Sequence, residues 1–395
     1  MNRINQDSIA RIILRTEYSS NEARHIDHYY CGSVNLWRDF FRPDHLELLT
    51  GMREGCSRTL IDGETITYDP SWRLKVRSDQ WRPPGELSQQ PQPRVGRWYP
   101  QGFLSGVSGI YPQTLQPMRV ISSADNLIEV DCNHPLADIP IIVRAQVESV
   151  ISPTKAQRGG RCADWLEDAL TNGPGIELLR EHYPDFHESD RFERLDSTED
   201  GQYYRKPRLV EHLDSQARAH LLACMAGCMS EGNHVLDLMS SVQSHLPEGL
   251  SVTGLGMNAE ELQANSVLVQ WLVHDLNENP VLPFAKESFD VVCCHLSFEY
   301  LLNPEQVMRE AARVLRPSGQ IIVSFSNRWF PEKVTRIWQK LHEFERMSYV
   351  VSVLRNAFTD FTTTSFRNWP RPKGDPHYFE LQVSDPVYVV TGSKR

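Results

Sequence analysis

The sequence predicts an α/β protein: an open, mostly parallel, doubly wound sheet in the C-terminal half, preceded by a β-rich region. Three observations carry this. From His234 onward, short apolar strands alternate with helical patterns, the rhythm of a sheet clothed by helices. Phe289–Cys294 is an unbroken apolar run, as expected of a strand covered on both faces. Before residue 152 the chain instead shows short strand-like runs and many turn residues, and Ile139, Ile141, Val143, Ala145 and Val147 alternate onto one face.

The elements follow in order. Ile12–Tyr18 opens the β-rich region, and the Pro- and Gly-crowded stretch from Trp81 to Pro117 reads as a long loop or irregular insertion. Asn126–Val130 is a strand, closed by the turn residues Asp131 to Pro135. A polar connector over 153–205 carries one short helix around Asp164–Ala169. Leu209, Leu213, Ala217, Leu221 and Met225 recur every four residues, predicting one helix face. Strands are then expected at Val235–Leu238, Leu250–Leu255, Val267–Val273, Phe289–Cys294, Gln320–Phe325 and Val387–Thr391. Asn258, followed by Ala259, Glu260 and Glu261, reads as an N-cap with an acidic first turn. Pro304–Leu315 is a helix with proline in its first turn, and Pro317-Ser318-Gly319 a turn. The expected division is 7–152, a connector over 153–205, and 206–395.

Composition narrows the function classes. The 395 residues are 40% hydrophobic and 23% charged, with a net charge of −10 and no Lys/Arg run, so no nucleic-acid partner is expected. No apolar stretch approaches the ~18 residues a membrane span needs, and the N-terminus lacks signal-peptide features. A cytoplasmic protein without a membrane partner is expected. The eight cysteines are scattered without metal-ligand spacing, so buried, reduced thiols and no metal are expected. Assembly into a homo-oligomer is left open.

Doubly wound sheets bind ligands at the carboxyl ends of their strands. Those tips here are Asp237-Leu238-Met239-Ser240-Ser241, Gly254-Leu255-Gly256-Met257-Asn258, His274-Asp275-Leu276-Asn277 and His295-Leu296-Ser297-Phe298-Glu299-Tyr300. All are polar or small. The pieces VLDLMSS, VTGLGMNAEEL, VHDLNENPVLPFAKESFDVVCCHLSFEYL and PEQVMREAARVLRPSGQIIVSFSN, spread over roughly 230–328, resemble the class I S-adenosylmethionine-dependent methyltransferases. The resemblance implies a Rossmann-like sheet and S-adenosyl-L-methionine as cofactor. It implies that Asp275 and the Leu276 amide meet the adenine, and that Asp237 holds the amino-acid end. Met239, Ser240, Ser241, Gly256, Met257, Asn258 and His295 complete the expected cofactor site. Two departures stand out: Leu238-Met239-Ser240-Ser241 replaces the family's glycine-rich turn, and the acid that ends its second strand is absent, with Asn258 as the nearest substitute.

Methyl transfer needs alignment and exclusion of water, and a base only for acceptors such as hydroxyls. Tyr204, His212, His295, Tyr300 and Arg328 are the expected catalytic residues, with Tyr203, Arg208, Phe298, Glu299, Asn327 and Trp329 as further pocket candidates. YRKPRLVEHLD reads as a cap over the site. No N-P-P-Y-type sequence follows the fourth strand, which disfavours amino-methylation of DNA or glutamine amides. The expected partner is a small-molecule acceptor, with a thiol or sulfide attractive because no base triad is visible.

Residues 11–150 resemble the FKBP-type peptidyl-prolyl isomerases of the SlyD-like branch. NLIEVDCNHPLADIPIIVRAQVESV carries the likeness, with Ile13–Tyr18 as opening strand and Phe41 to Gly55 as helix and turn. Tyr18 and Asp27 are placed to match the family's pocket, but Asp39-Phe40-Phe41-Arg42-Pro43 stands where its I-P-G would be, and A-Y-G is missing. A docking or substrate-covering role is therefore expected in place of isomerisation. The alternatives carried forward are a folding helper with a non-catalytic transferase half, and a protein methyltransferase.

Overall fold

The period-two alternation of the first half becomes a four-stranded antiparallel sheet. The structure, a computed structural model, describes residues 2–39, 42–85, 90–151, 160–180 and 183–395. Phe40 and Phe41, and the opening of the expected connector at 153–159, lie outside the described residues. The chain divides into two units, Met1–Glu188 with Lys340–Ser348, and Ser189–Gln339 with Tyr349–Arg395. The first boundary thus falls between Glu188 and Ser189, and a later nine-residue segment belongs to the first unit.

In the N-terminal unit, β1 (Ile9–Ser19), β2 (Ala23–Asn35), β3 (Ser57–Glu64) and β8 (Ile141–Ile151) pair in the order β2-β1-β8-β3. Ile141, Val143, Ala145 and Val147 are at most 2% exposed, so one face of β8 is core. Burial of this kind contributes roughly 1.5–3 kcal/mol per Val or Ile side chain. Helix α1 (Pro43–Leu49) and α2 (Trp165–Thr171, capped by the Asp164 carboxylate) add to the same core. Between β3 and β8 the chain makes a second sheet of β4 (Arg73–Arg77), β5 (Trp98–Pro100), β6 (Pro117–Ala124) and β7 (Leu127–Asp131), ordered β4-β7-β6-β5. The stretch expected to be loop from Trp81 to Pro117 therefore supplies a short strand, because Trp81, Tyr99, Leu104 and Ile110 bury together. The returning segment contributes Glu345, fully buried, whose Oε1 accepts from Arg97 Nε at 2.8 Å and from Trp98 N at 3.0 Å.

The C-terminal unit holds β9 (His234–Leu238), β10 (Ser251–Gly256), β11 (Leu268–Val273), β12 (Phe289–His295), β13 (Leu315–Phe325), β14 (Phe358–Arg367) and β15 (Val387–Lys394). Their order is β11-β10-β9-β12-β13-β15-β14. The first five are parallel, and β15 runs antiparallel to both of its neighbours. Val235, Val291, Cys293 and Ile322 pack with Ala217, Leu221 and Met225 of α4 (Ser215–Cys228).

Leu209 does not share that helix face. The Asp214 carboxylate accepts from Gln216 N and Ala217 N and starts α4 there, which leaves Leu209 before the helix and 59% exposed. Pro317-Ser318-Gly319 is likewise no free turn but a register break inside β13, with Ser318 at φ 61°. Asn258 caps α5 (Ala259–Ala264), and Asn303 caps α6 (Pro304–Val314), as the cap signals indicated. Helices α3 (Asp200–Tyr203), α7 (Arg336–Lys340) and α8 (Glu343–Leu354) complete the described helices.

Candidate active site

The strand order reverses beside β9: β10 and β11 extend to one side, β12 and β13 to the other. The crevice above those tips is where such a sheet receives a ligand. A cavity of about 620 Å³ lies there, within the size range of small-molecule sites.

Its floor is set by strand register. Parallel pairing puts Cys293 beside Asp237, and the two-residue period brings His295 to the same face. Asp237 is 2% exposed, and burial pushes its carboxyl up to about 6. Cys293 Sγ donates to its Oδ1 at 3.6 Å, while Oδ2 has no protein hydrogen bond. His295 Nδ1 lies 2.7 Å from Ser324 Oγ, and its buried Nε2 has no protein partner. Burial depresses the His295 imidazole to about 3, so the ring is neutral at pH 7. The ligating atoms of Asp237, Cys293 and His295 fall within 4.8 Å of one another, a donor set of the kind that holds a metal ion. Buried polar atoms without partners are rare in folded proteins, because each costs about 1–3 kcal/mol. Several of them converging on one cavity mark a place for a polar ligand.

The loop after β9 explains both departures at once. Met239 takes a left-handed conformation, φ 56°, where a glycine would be unstrained. Ser240 N donates to Leu255 O at 2.8 Å, and this draws the loop against the tip of β10. A Cβ on Gly256 would lie 2.1 Å from Ser240 O. An acid at that position cannot coexist with the loop in this path.

Asn258 lines the cavity, but its polar atoms are already engaged. Oδ1 accepts from Glu260 N and Glu261 N, and Nδ2 donates to the carbonyls of Tyr204 and Arg205 at 2.9 and 3.1 Å. It anchors the preceding segment to the start of α5. Glu261 does related work: Ser241 Oγ donates to Oε2 at 2.6 Å and Arg208 N to Oε1 at 2.7 Å.

The upper wall is aromatic. Phe330 N donates to the Tyr300 hydroxyl at 2.8 Å, the two rings stack at 5.9 Å, and His212 meets Phe330 edge-on at 5.5 Å. Burial raises the Tyr204 and Tyr300 phenols, which stay protonated at neutral pH. Burial lowers the His212 imidazole, and depresses His245 to about 4. The cavity thus holds neutral imidazoles beside the carboxyl groups of Glu211, Asp237 and Glu261.

Of the residues expected from sequence, Tyr204, His212, His295, Tyr300 and Arg328 all reach the cavity. So do Asp237, Met239, Ser240, Ser241, Met257 and Asn258, with Arg208 and Trp329 from the wider set. Gly256, Asp275 and Leu276 are not among its lining residues, nor are Tyr203, Phe298, Glu299 and Asn327. Asp275 Oδ1 accepts from Asn277 N at 2.8 Å and from Glu278 N at 3.3 Å, the bonds of a local turn. Sequence reasoning missed His245, Glu261, Phe330 and His377 as lining residues. Glu261 was visible only as helix-start chemistry, and nothing in the local sequence pattern marks His245 or His377.

The fold and the strand-tip cavity define a doubly wound ligand-binding domain, and sequence comparison supplies its family. Residues 228–323 match the family model described as a methyltransferase domain. The C-terminal unit carries a class I S-adenosylmethionine-dependent methyltransferase domain, and S-adenosyl-L-methionine is its cofactor. Among curated proteins the chain is similar to the ubiquinone biosynthesis O-methyltransferase of Klebsiella pneumoniae subsp. pneumoniae, 31% identical over 108 residues. It is also similar to that of Pectobacterium atrosepticum, 29% identical over 112 residues. Each match spans 25% of this chain and 44% of the relative, so the chain covers less than half of the relatives' length. A solved S-adenosylmethionine-dependent methyltransferase of Thermotoga maritima is 17% identical with a TM-score of 0.34, covering 45% of this chain and 90% of the other. No helix is long and apolar enough to cross a membrane among the described residues.

Proposed function

We propose that the protein is an S-adenosylmethionine-dependent methyltransferase acting on a small molecule, with the cavity at the tips of β9, β10 and β12 as its site. One observation carries this reading: a cavity of about 620 Å³ at the switch point, floored by the unpaired buried atoms Asp237 Oδ2, Ser240 Oγ and His295 Nε2. Those atoms fit a ligand end rich in donors and acceptors, as the cofactor's amino-acid end is. Asp237, Ser240 and His295 would hold that end, with Met239, Ser241 and Met257 beside the rest. Asp275 and Leu276 remain the expected adenine contacts. The cofactor, when bound, supplies an electrophilic methyl group. The chain's own task is to exclude water and align the acceptor beneath Tyr204, Tyr300 and Phe330.

The acceptor reading shifts. A thiol or sulfide was attractive for want of a base, yet His212, His245 and His295 are neutral imidazoles lining the cavity. His212 is the imidazole best placed to take a proton from a hydroxyl, since His295 is held near 3 and His245 near 4, and the curated relatives are named as O-methyltransferases. A hydroxyl acceptor is now the better supported class.

For the N-terminal unit we keep the FKBP-like reading. The sheet interrupted between β3 and β8 by a second four-stranded sheet supports it. Isomerase activity is disfavoured. The space between α1 and the sheet is about 10 Å³, room for about one water molecule, with Trp165 and Leu166 on its wall.

The test is a thermal melt with saturating S-adenosylhomocysteine, followed by methyl turnover against small phenols, thiols and amines. Stabilisation by several degrees and turnover with a phenol are expected. A melt unmoved by S-adenosylhomocysteine would sink the proposal.

A further inference from the structure

The cavity wall carries two arginines, and only one is matched by a carboxylate. Arg328 Nη1 lies 3.5 Å from Asp385 Oδ2. Arg208 has no carboxylate within ion-pair distance among the described residues. Its side chain is held by aromatic faces, with the guanidinium carbon 4.6 Å from the Tyr203 ring centroid, 5.0 Å from Phe330 and 5.4 Å from Tyr204. Nη2 reaches the Tyr203 carbonyl at 3.4 Å, and Nη1 is buried without a hydrogen bond.

This is an unusual state for an arginine. Ring faces answer part of its charge, but they do not satisfy its N–H donors. The rings also fix the guanidinium plane, so little side-chain entropy remains to be lost when an anion docks. Two acids of the cavity are committed elsewhere: Glu261 accepts from Ser241 Oγ and the Arg208 amide, and Glu211 pairs with Arg218 and Gln243. Arg208 thus offers the cavity a preorganised, half-buried cation with no carboxylate partner among the described residues.

We infer that Arg208 is a carboxylate-binding subsite of this cavity. Its aromatic frame of Tyr203, Tyr204 and Phe330 holds the guanidinium in place for an anion. The inference rests on the methyltransferase reading for the identity of that anion, because a carboxylate can arrive on the cofactor's amino-acid end or on the methyl acceptor. Arginine binds a carboxylate through two parallel N–H bonds, a geometry that lysine does not reproduce.

The experiment compares matched ligands by calorimetry on the full chain, in the wild type, Arg208→Gln and Arg208→Lys. S-adenosylhomocysteine is set against methylthioadenosine, which lacks the amino-acid end. Benzoate is set against benzamide, with and without S-adenosylhomocysteine. Each pair is read as a ratio within one protein, so general loosening of the cap cancels. In Arg208→Gln the carboxylate-bearing member of at least one pair should weaken tenfold or more, about 1.4 kcal/mol, while its neutral counterpart moves less than twofold. Arg208→Lys should recover part of the loss. A selective loss for S-adenosylhomocysteine assigns the subsite to the cofactor; a selective loss for benzoate assigns it to the acceptor. Ratios unchanged from wild type in both pairs would overturn the subsite. If wild type binds neither nucleoside, the methyltransferase reading fails, and the benzoate pair alone decides the subsite.

Discussion

The two units differ in the space beside their unpartnered buried polar atoms. Around Tyr18 in the N-terminal unit the groups engage one another. Tyr18 OH donates to Glu177 and accepts from Gly175 N at 2.8 Å, and His25 Nε2 lies 3.1 Å from Ser20 Oγ. In the C-terminal unit Asp237, Ser240, His295 and Arg208 keep buried atoms without protein partners, all on one cavity wall. The cavities differ accordingly, about 10 against about 620 Å³. Unpartnered polar atoms occur in both units, His45 Nε2 beside the small cavity among them, but in the second unit several border a void large enough for a ligand.

The comparison can be broken in several places. The largest effect is expected from Gly256→Asp, which puts an acid at the tip of β10. Its Cβ meets the Ser240 carbonyl at 2.1 Å, so a loss of about 3 kcal/mol in denaturant unfolding is expected. An unchanged midpoint would show that the loop is free to move aside.

Asp237→Asn should act in the other direction. Burial pushes the folded carboxyl up to about 6 from the ordinary 3.8, so between those pH values the folded state keeps a proton that the unfolded chain releases. The group favours folding below about pH 4, and that advantage is lost as pH rises through 6. At pH 7 the buried charge opposes folding, and the amide should stabilise by roughly 2–3 kcal/mol. The gain should shrink from pH 6 to pH 4 and vanish below, while affinity for S-adenosylhomocysteine falls at least tenfold. A variant no more stable than wild type at pH 7 would mean that Asp237 is satisfied, contrary to the contrast drawn above.

Trp165→Ala tests the closed unit. Half-buried, with its indole N–H bonded to Asp39 at 2.8 Å, Trp165 should cost about 2 kcal/mol when removed. Wild type should not accelerate prolyl isomerisation in a tetrapeptide assay, and clear acceleration would break the comparison. The smallest effect is expected for Asn258→Ala, about 1 kcal/mol for a lost helix cap. Because Asn258 also holds the Tyr204 and Arg205 carbonyls, amide exchange over 204–208 should quicken.

Much of the scaffold was legible in the sequence because it depends on periodicity. The alternation in β8, the apolar run of β12 and the Asn258 and Asn303 caps are local signals with local causes. Failures came where a distant partner decides. Leu209 matched a helical spacing, but the Asp214 cap starts the helix later. Strand β14 went unread, since its Thr-rich alternation gains meaning only beside β15. In the site, tip position alone found Asp237 and His295. That Arg208 lacks a carboxylate, that Asn258 is fully engaged and that Gly256 faces a carbonyl are facts of three-dimensional pairing.

Arg97 and Glu345 carry a consequence for synthesis. Their bond closes a span of 248 residues, which a ribosome adding about 5–20 residues per second covers in roughly 12–50 s. Throughout that interval Arg97, 1% exposed in the finished fold, lacks its closer carboxylate partner, with Glu188 at 3.6 Å as the other. Residues 189–339 of the second unit are translated in the meantime. The unit that emerges first thus stays incomplete until most of the second has been made, and a nascent chain halted before residue 345 displays an unfinished N-terminal unit to chaperones and proteases.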